Sequence, residues 1–428
     1  MKADLVIVGS GLAGATAALS AIENGAKNVT VIRKGYGRTA MSGGLLAFAA
    51  DQNKAAGVST LKDRLSAICE NELNPYGLLS DSNKSLSDGC KLLVEKLPSF
   101  KADIKSDSKP GLFLSEGGAA VFADMQFGGG SGDLLKLDTK SVAVVSFKEL
   151  SWFKLDQLVE QWREELTRLG VEVDLSLLEL NLSDGLPLQM NSQAALLLDD
   201  KKNIEKLVEE LKKLVADKKP GLLLFPPVMG LNNADVLAEL EKALGIACAE
   251  LSGGYNALAG LRLQRELDKA LNDAGVKMLQ AEVVGFAQVG QAIKSLKFIA
   301  DGKENEIEAE AFIHAGGRFL GGGLIEDGGV RESVFKLPAY FANKLVSDLP
   351  TIKLVERDYA AEHILFSCGL TANENLNPLD ENGKSFADNL YVCGDILGGY
   401  DLVLSGCAEG LAIATAHKAG QLVTGGSK

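Results

Sequence analysis

The sequence predicts an α/β protein in which a nucleotide-binding βαβ domain is split along the chain by an inserted, smaller α/β domain. Two motifs at opposite ends and the alternating segments between them predict it. The chain opens on Leu5-Val6-Ile7-Val8, an aliphatic strand-like run that breaks into Gly9-Ser10-Gly11-Leu12-Ala13-Gly14 and then a helix of small residues. Near the other end, Leu390-Tyr391-Val392-Cys393-Gly394-Asp395 repeats the design, followed by Gly398-Gly399 and a second small-residue helix from Gly406.

Each glycine of the first motif has its own task. Gly9 permits the tight turn, Gly11 lets backbone approach a phosphate, and Gly14 lets the helix pack closely on the strand. Free N–H groups and the positive dipole end at Leu12 and Ala13 then stabilise the anion. A helix over 15–24 and a return strand over 28–32 complete the unit.

Joined to the far motif, this Rossmann-like unit points to a flavin. Asp395, just past a strand, can accept from ribityl hydroxyls; as a plain helix or turn cap it leaves the glycines after it unexplained. Gly406, Cys407 and Ala408 open a helix whose positive end would stabilise negative charge at N1/C2=O when the flavin is reduced. In the loop Arg38-Thr39-Ala40-Met41-Ser42-Gly43-Gly44, the residues Thr39, Ser42, Gly43 and Gly44 would let backbone run along a flat ring and donate at N5 and O4. Read alone, that loop is an ordinary polar turn.

The return strand ends in Arg33-Lys34, where a dinucleotide site usually carries an acid about 20 residues past the glycines. A guanidinium cannot accept the protons of ribose hydroxyls and suits another phosphate. The expected cofactor is therefore FMN, with FAD as the alternative, and Arg33 and Lys34 are phosphate-side candidates. The other reading puts Arg33 at the solvent-facing end of its strand.

At 428 residues and 46% hydrophobic, the chain can hold two or three domains. Its 44 Lys+Arg against 57 Asp+Glu, a formal net charge of -13, argue against a nucleic-acid or anionic-membrane binder. Residues 5–22 are uncharged, but three glycines at nucleotide-turn spacing mark strand plus helix, not a membrane span. The six cysteines, at 69, 90, 248, 368, 393 and 407, form no CxxC, so no metal site is expected and they read as reduced thiols.

The expected domains are 1–55 with 276–428 for the flavin-binding part and 56–275 for the insertion. Residues 56–140, rich in Ser, Gly and Asp, read as irregular. Further on, helices are expected over 153–169, 204–216, 233–244 and 261–274, and extended runs over 142–145, 172–175 and 221–225. Runs 277–289 and 293–300 read as a meander that returns to a strand at 308–314 and the Gly316-Gly317 turn.

The combination resembles the B-subunit family of anaerobic glycerol-3-phosphate dehydrogenases, within the fumarate-reductase-like flavoproteins. The diagnostic segments are Phe225-Pro226-Pro227-Val228-Met229-Gly230-Leu231, Gly260-Leu261-Arg262-Leu263-Gln264, Ala315-Gly316-Gly317-Arg318-Phe319 and Val330-Arg331-Glu332, together with both end motifs. The resemblance implies an FMN-associated electron-transfer subunit that works with a catalytic flavoprotein subunit and an iron–sulfur subunit. Such a complex oxidises sn-glycerol 3-phosphate to dihydroxyacetone phosphate and sends electrons to quinone, from a position at the cytoplasmic face of the membrane held through partners. The competing readings are a self-contained soluble flavin oxidoreductase acting on a small anion or NAD(P)H, and a scaffold with a vestigial site.

Substrate groups are few. Arg318 and Arg331 could clamp a phosphate or carboxylate, and His363 could serve as an acid or base. The run His363-Ile364-Leu365-Phe366-Ser367-Cys368-Gly369 departs from the substrate-binding His-x-x-Met-Gly-Gly pattern of fumarate reductases, so no dicarboxylate site carries over. Arg262 and Arg265, on adjacent turns of one predicted helix, read as a solvated face.

Overall fold

Strand β1 (Lys2–Val8) has Leu5 and Ile7 in one hydrophobic core and Ala3 and Val6 in another. An apolar run buried on both faces in this way belongs in the middle of a parallel sheet. The computed structural model describes residues 1–50, 59–102, 104–130, 132–183, 187–216, 219–254, 257–358 and 361–425. In it β1 lies between β2 (Val29–Arg33) and the strand Lys303–His314, both parallel to it. The sheet extends past β2 through the parallel strand Lys277–Gln280. On the other side, Ala292–Ala300 and Glu282–Val289 add antiparallel, and Leu390–Val392 pairs in parallel with the end of Lys303–His314.

Register sets the functional edge. Val8 pairs with His314, and His314 with Val392, so three strands end level. The turns that follow them, at 9–11, 315–317 and 393–395, therefore share one edge, the carboxyl ends of parallel strands where ligands of α/β sheets bind.

Helix α1 (Leu12–Glu23) is buried from Leu12 to Ala21, and its small residues let another helix come close. That partner is the terminal helix Ala408–Gly425, equally rich in alanine. A Cβ on Gly420 would stand 2.6 Å from the Ala17 carbonyl oxygen. The Ser20 hydroxyl donates to the His417 carbonyl at 2.9 Å.

The described residues between 59 and 140 hold more order than expected. Helices Leu61–Cys69 and Ser82–Lys96 form there, started by the Thr60 and Asp81 side chains accepting from Asp63 N and Lys84 N. Their buried apolar residues, Leu61, Leu65 and Ile68 on the first and Leu86, Cys90 and Leu93 on the second, keep helical spacing and pack into the core of α1 and the terminal helix.

The second core runs from Leu112 to Leu251. It surrounds a parallel sheet ordered Ala247–Glu250, Leu222–Phe225, Ser141–Phe147, Asp174–Leu180. The helices Leu155–Arg168, Lys201–Val215 and Val236–Leu244 lie near the predicted ranges. On Lys201–Val215 the buried residues Ile204, Leu207, Leu211 and Val215 keep helical spacing. The insertion is thus narrower than 56–275: residues 61–100 and the helix Ala259–Asp273 contribute to the first core instead. The expected boundary at 55/56 lies outside the described residues. A second difference concerns 277–289, which divides into a parallel strand beside β2 and an antiparallel one.

Candidate flavin site

The two glycine motifs meet. Gly394, at φ +72, stands where an added Cβ would lie 2.5 Å from the Ala13 Cβ. Its N–H donates to Thr415 Oγ1 at 3.0 Å, which ties the turn to the terminal helix. Gly9, at φ +104, backs onto Ala315, whose carbonyl oxygen would be 2.3 Å from a Cβ there, and Gly14 leaves no room either, with the Gly9 carbonyl oxygen 2.0 Å away. Gly316 has the His314 ring as neighbour, with Cε1 at 2.7 Å.

A phosphate end fits this edge. Among the described residues the N–H groups of Gly11, Ala13 and Gly14 have no acceptor, while that of Leu12 donates to Thr39 Oγ1 at 2.9 Å. Unpaired amides at the start of a helix of 12 residues are suited to receive an anion. The same Thr39 hydroxyl would lie 2.9 Å from a Cβ on Gly11, so only glycine lets the loop sit this close.

The loop after β2 binds protein on one side. Gly43 accepts from Gly253 N at 3.0 Å, Gly44 at φ +89 backs onto Ala259, and the Ser42 carbonyl accepts from Gly260 N at 3.0 Å. The glycine of Gly-x-Arg-Leu-Gln is therefore explained by close approach to this loop, a Cβ on Gly260 lying 2.5 Å from the Thr39 carbonyl oxygen, whereas Gly253 backs onto Ala257 and Gly254 onto Glu116. Gly406 backs onto Ala50 with 2.9 Å to its Cβ. Cys407 is buried beside Ser405, and burial pushes its thiol up to about 11, so it is a neutral filler at pH 7.

Arg38 organises the opposite side, and sequence reasoning did not select it. Its Nε donates to Asp395 Oδ2 at 2.7 Å and its Nη1 to Glu409 Oε1 at 2.6 Å. Burial works against the guanidinium charge, but Asp395 and Glu409 outweigh it and hold Arg38 more firmly charged than an ordinary arginine. Asp395 Oδ1 also accepts from Tyr400 at 3.0 Å, a phenol kept protonated by burial and by that same carboxylate. The carboxylate expected to face ribityl hydroxyls is thus held by two donors. It keeps 14% of its side-chain surface exposed, and Arg38 keeps 31%, so the cluster is open to a ligand. A lone charge in a run of small residues was the available signal for Arg38.

Other expectations change. Arg33 does not await a phosphate: its Nη1 donates to both oxygens of Asp268, at 2.7 and 2.6 Å, and to Ser10 Oγ at 3.3 Å. Lys34 pairs at the surface with Glu282. Arg318 is no exposed clamp, being 3% exposed. It donates to the carbonyls of Asp395, Leu397 and Tyr400 at 2.8, 2.8 and 3.1 Å and braces the second motif, while its buried Nη1 has no acceptor. His363 is buried, and its Nδ1 accepts from Glu356 N at 3.0 Å, which leaves that nitrogen no lone pair for base chemistry. Arg331 lies on the ribbon of Leu324–Glu326 and Val330–Glu332, with its Nε buried and without an acceptor among the described residues.

Arg262 is buried too, contrary to the solvated face expected of it. Its guanidinium donates to both Glu250 oxygens, at 2.7 and 3.0 Å, and to the Gly230 carbonyl at 2.8 Å. Two sequence motifs, Pro-Pro-x-x-Gly and Gly-x-Arg-Leu-Gln, are one structural device.

A Rossmann-like sheet with converging glycine turns, free helix-end amides and an orphaned buried guanidinium nitrogen defines a flavin-dependent oxidoreductase. The chain matches the FAD binding domain family over residues 4–411 and belongs to that family. The flavin expectation holds, with FAD, the alternative above, as the form the family supports. When bound, a flavin supplies reversible acceptance and release of electrons.

Proteins named as the B-subunit of anaerobic glycerol-3-phosphate dehydrogenase align along the chain. That of Actinobacillus pleuropneumoniae serotype 5b (strain L20) is 26% identical over 439 residues, covering 100% of both chains. That of Vibrio cholerae serotype O1 (strain ATCC 39315 / El Tor Inaba N16961) is 24% identical over 443 residues, covering 98% of this chain and 96% of the relative. The resemblance read from the motifs is borne out. Among solved structures, 3-ketosteroid delta1-dehydrogenase from Sterolibacterium denitrificans superposes with TM-score 0.45 at 10% identity, covering 100% of both chains.

Proposed function

We propose that this chain is the flavin-bearing electron-transfer subunit of a multi-subunit anaerobic glycerol-3-phosphate dehydrogenase. In this reading a catalytic flavoprotein subunit works beside it, sn-glycerol 3-phosphate is oxidised to dihydroxyacetone phosphate, and electrons leave through an iron–sulfur subunit to quinone. The observation that carries it is the meeting of Gly394 with Ala13 in a chain whose full-length relatives bear the B-subunit name.

The side chains support transfer over self-contained catalysis. Two of the three substrate candidates, Arg318 and His363, are turned inward and engaged. Exposed apolar residues gather instead on loops beside the second motif: Phe366, Val403 and Leu404 at 40%, 63% and 46% exposure, joined where Leu402 N donates to Phe366 O at 3.0 Å. Val355, 51% exposed, follows on the next loop, where Leu365 N donates to Leu354 O. An apolar rim of this kind suits a partner chain. No helix among the described residues is long and apolar enough to cross a membrane, so association with the inner membrane face would run through partners.

The test is dye reduction by glycerol 3-phosphate with the flavin-loaded chain alone and with its complex. Turnover is expected only in the complex. Robust turnover by the isolated chain would overturn the proposal in favour of a self-contained oxidoreductase.

A further inference from the structure

Arg38, Asp395 and Glu409 balance one another at the second glycine motif, but the guanidinium beneath them has no counter-ion. We propose that Arg318 sets the reduction potential of the site: its buried, unneutralised charge favours the reduced flavin and makes the site a readier electron acceptor. This rests on the flavin reading of the glycine turns.

The path of the chain puts Arg318 where the two motifs join. Its backbone follows the strand Lys303–His314 and the turn Ala315-Gly316-Gly317, in which Ala315 backs onto Gly9. From there the side chain crosses to the second motif and gathers the carbonyls of Asp395, Leu397 and Tyr400. Asp395 meanwhile gives its carboxylate to Arg38 and Tyr400. The Tyr400 ring covers the guanidinium, whose Cζ lies 4.6 Å from the ring centroid.

The charge is not cancelled. Carbonyl dipoles solvate a cation without neutralising it, and no carboxylate pairs with Arg318 among the described residues. The nearby acid Asp401 accepts from the amides of Val403 and Leu404 instead. Arg38 stands between Asp395 and Glu409, so those three groups together carry one negative charge, which Arg318 offsets. At 3% exposure the guanidinium is little screened by water or salt. Its field is felt by three neighbours: burial pushes Cys368, Cys407 and Tyr400 up from their ordinary values, and Arg318 opposes the rise at each. Cys407 immediately precedes the terminal helix Ala408–Gly425, the helix end expected near N1/C2=O. The positive field therefore covers the place where reduction brings negative charge. The orphaned Nη1 adds a donor for which the described residues supply no acceptor.

The experiment is reductive titration of the flavin-loaded full chain against reference dyes, comparing Arg318→Met with Arg318→Lys. Neither side chain reproduces the fork that braces three carbonyls, and only lysine keeps the charge. Arg318→Met is expected to lower the equilibrium constant for two-electron reduction about tenfold or more, a fall of about 30 mV, while Arg318→Lys stays within about threefold of the wild type. Glu409→Gln, which leaves Arg318 in place and removes an acid, should move the potential the opposite way; an unmoved or lowered potential there overturns the electrostatic assignment. Flavin kept by Arg318→Lys and lost from Arg318→Met also supports a need for the charge. Equal potentials in the methionine and lysine variants, or loss of flavin from both, overturn the proposal in favour of bracing alone. Uptake of no flavin by the wild type would instead overturn the flavin site itself.

Discussion

Arg262→Met should destabilise the protein far more than loss of a surface arginine would. The guanidinium and Glu250 are 8% and 2% exposed, so neither charge is screened by water. Glu250 would keep one donor, Met229 N at 2.6 Å, and the Gly230 carbonyl would lose its own. Removing one partner of a buried pair in this way costs about 3–5 kcal/mol, most of it the cost of leaving the other charge uncompensated. Urea unfolding followed by tryptophan fluorescence reads it well, because Trp162 is fully buried in the second core. The double change Arg262→Met with Glu250→Gln removes both charges and should recover a good part of the loss. A single variant that loses less than about 1 kcal/mol, or a double variant that falls by the sum of the singles, would refute the pairing argument. Flavin affinity should fall as well, since the same helix carries Gln264, whose Nε2 donates to the Ser10 carbonyl in the first glycine turn.

Gly14→Ala should empty the site: its methyl group would press on the Gly9 carbonyl at 2.0 Å, and overpacking of this kind costs roughly 1–3 kcal/mol. Retention of the flavin absorbance ratio of the wild type would contradict it. Arg38→Met leaves Asp395 and Glu409 facing each other without their cation and should lower stability by about 1–2 kcal/mol, scaled down because Arg38 is partly exposed. Glu409→Gln in that background should restore part of it; if it deepens the loss, Arg38 is not a charge mediator. His417 gives a pH dependence: burial lowers its affinity for protons, with Asp88 partly opposing. Below about pH 6.5 the unfolded chain takes up a proton that the folded one resists, so stability falls as pH falls through that value and is full above it. Thermal midpoints at pH 7.5 and 5.5 should converge in His417→Gln; an undiminished gap would assign the acid sensitivity to another group.

Local chemistry was legible where it repeats at short range. The aliphatic run before Gly9, the small residues of α1 and the spacing of Ile204, Leu207, Leu211 and Val215 each specify an element from its own stretch of chain. Helices Leu61–Cys69 and Ser82–Lys96 were read as irregular because Ser, Asp and Gly are frequent in this stretch, although Leu61, Leu65 and Ile68 and then Leu86, Cys90 and Leu93 keep helical spacing. The site divided along the same line: the glycine turns were readable, whereas the pairing of Arg38 with Asp395 and Glu409 was not.

The sequence alone determined the α/β class, the paired nucleotide turns and the family they resemble, since backbone turns, strand faces and helix ends depend on residues a few positions apart. Only the tertiary structure decided that Arg33 meets Asp268, that Arg38 joins Asp395 to Glu409, and that Arg262 is buried on Glu250. The physical reason is that an ion pair depends on distance in space. Asp268 lies 235 positions from Arg33 and 2.6 Å from its guanidinium, and nothing in either local stretch encodes the other.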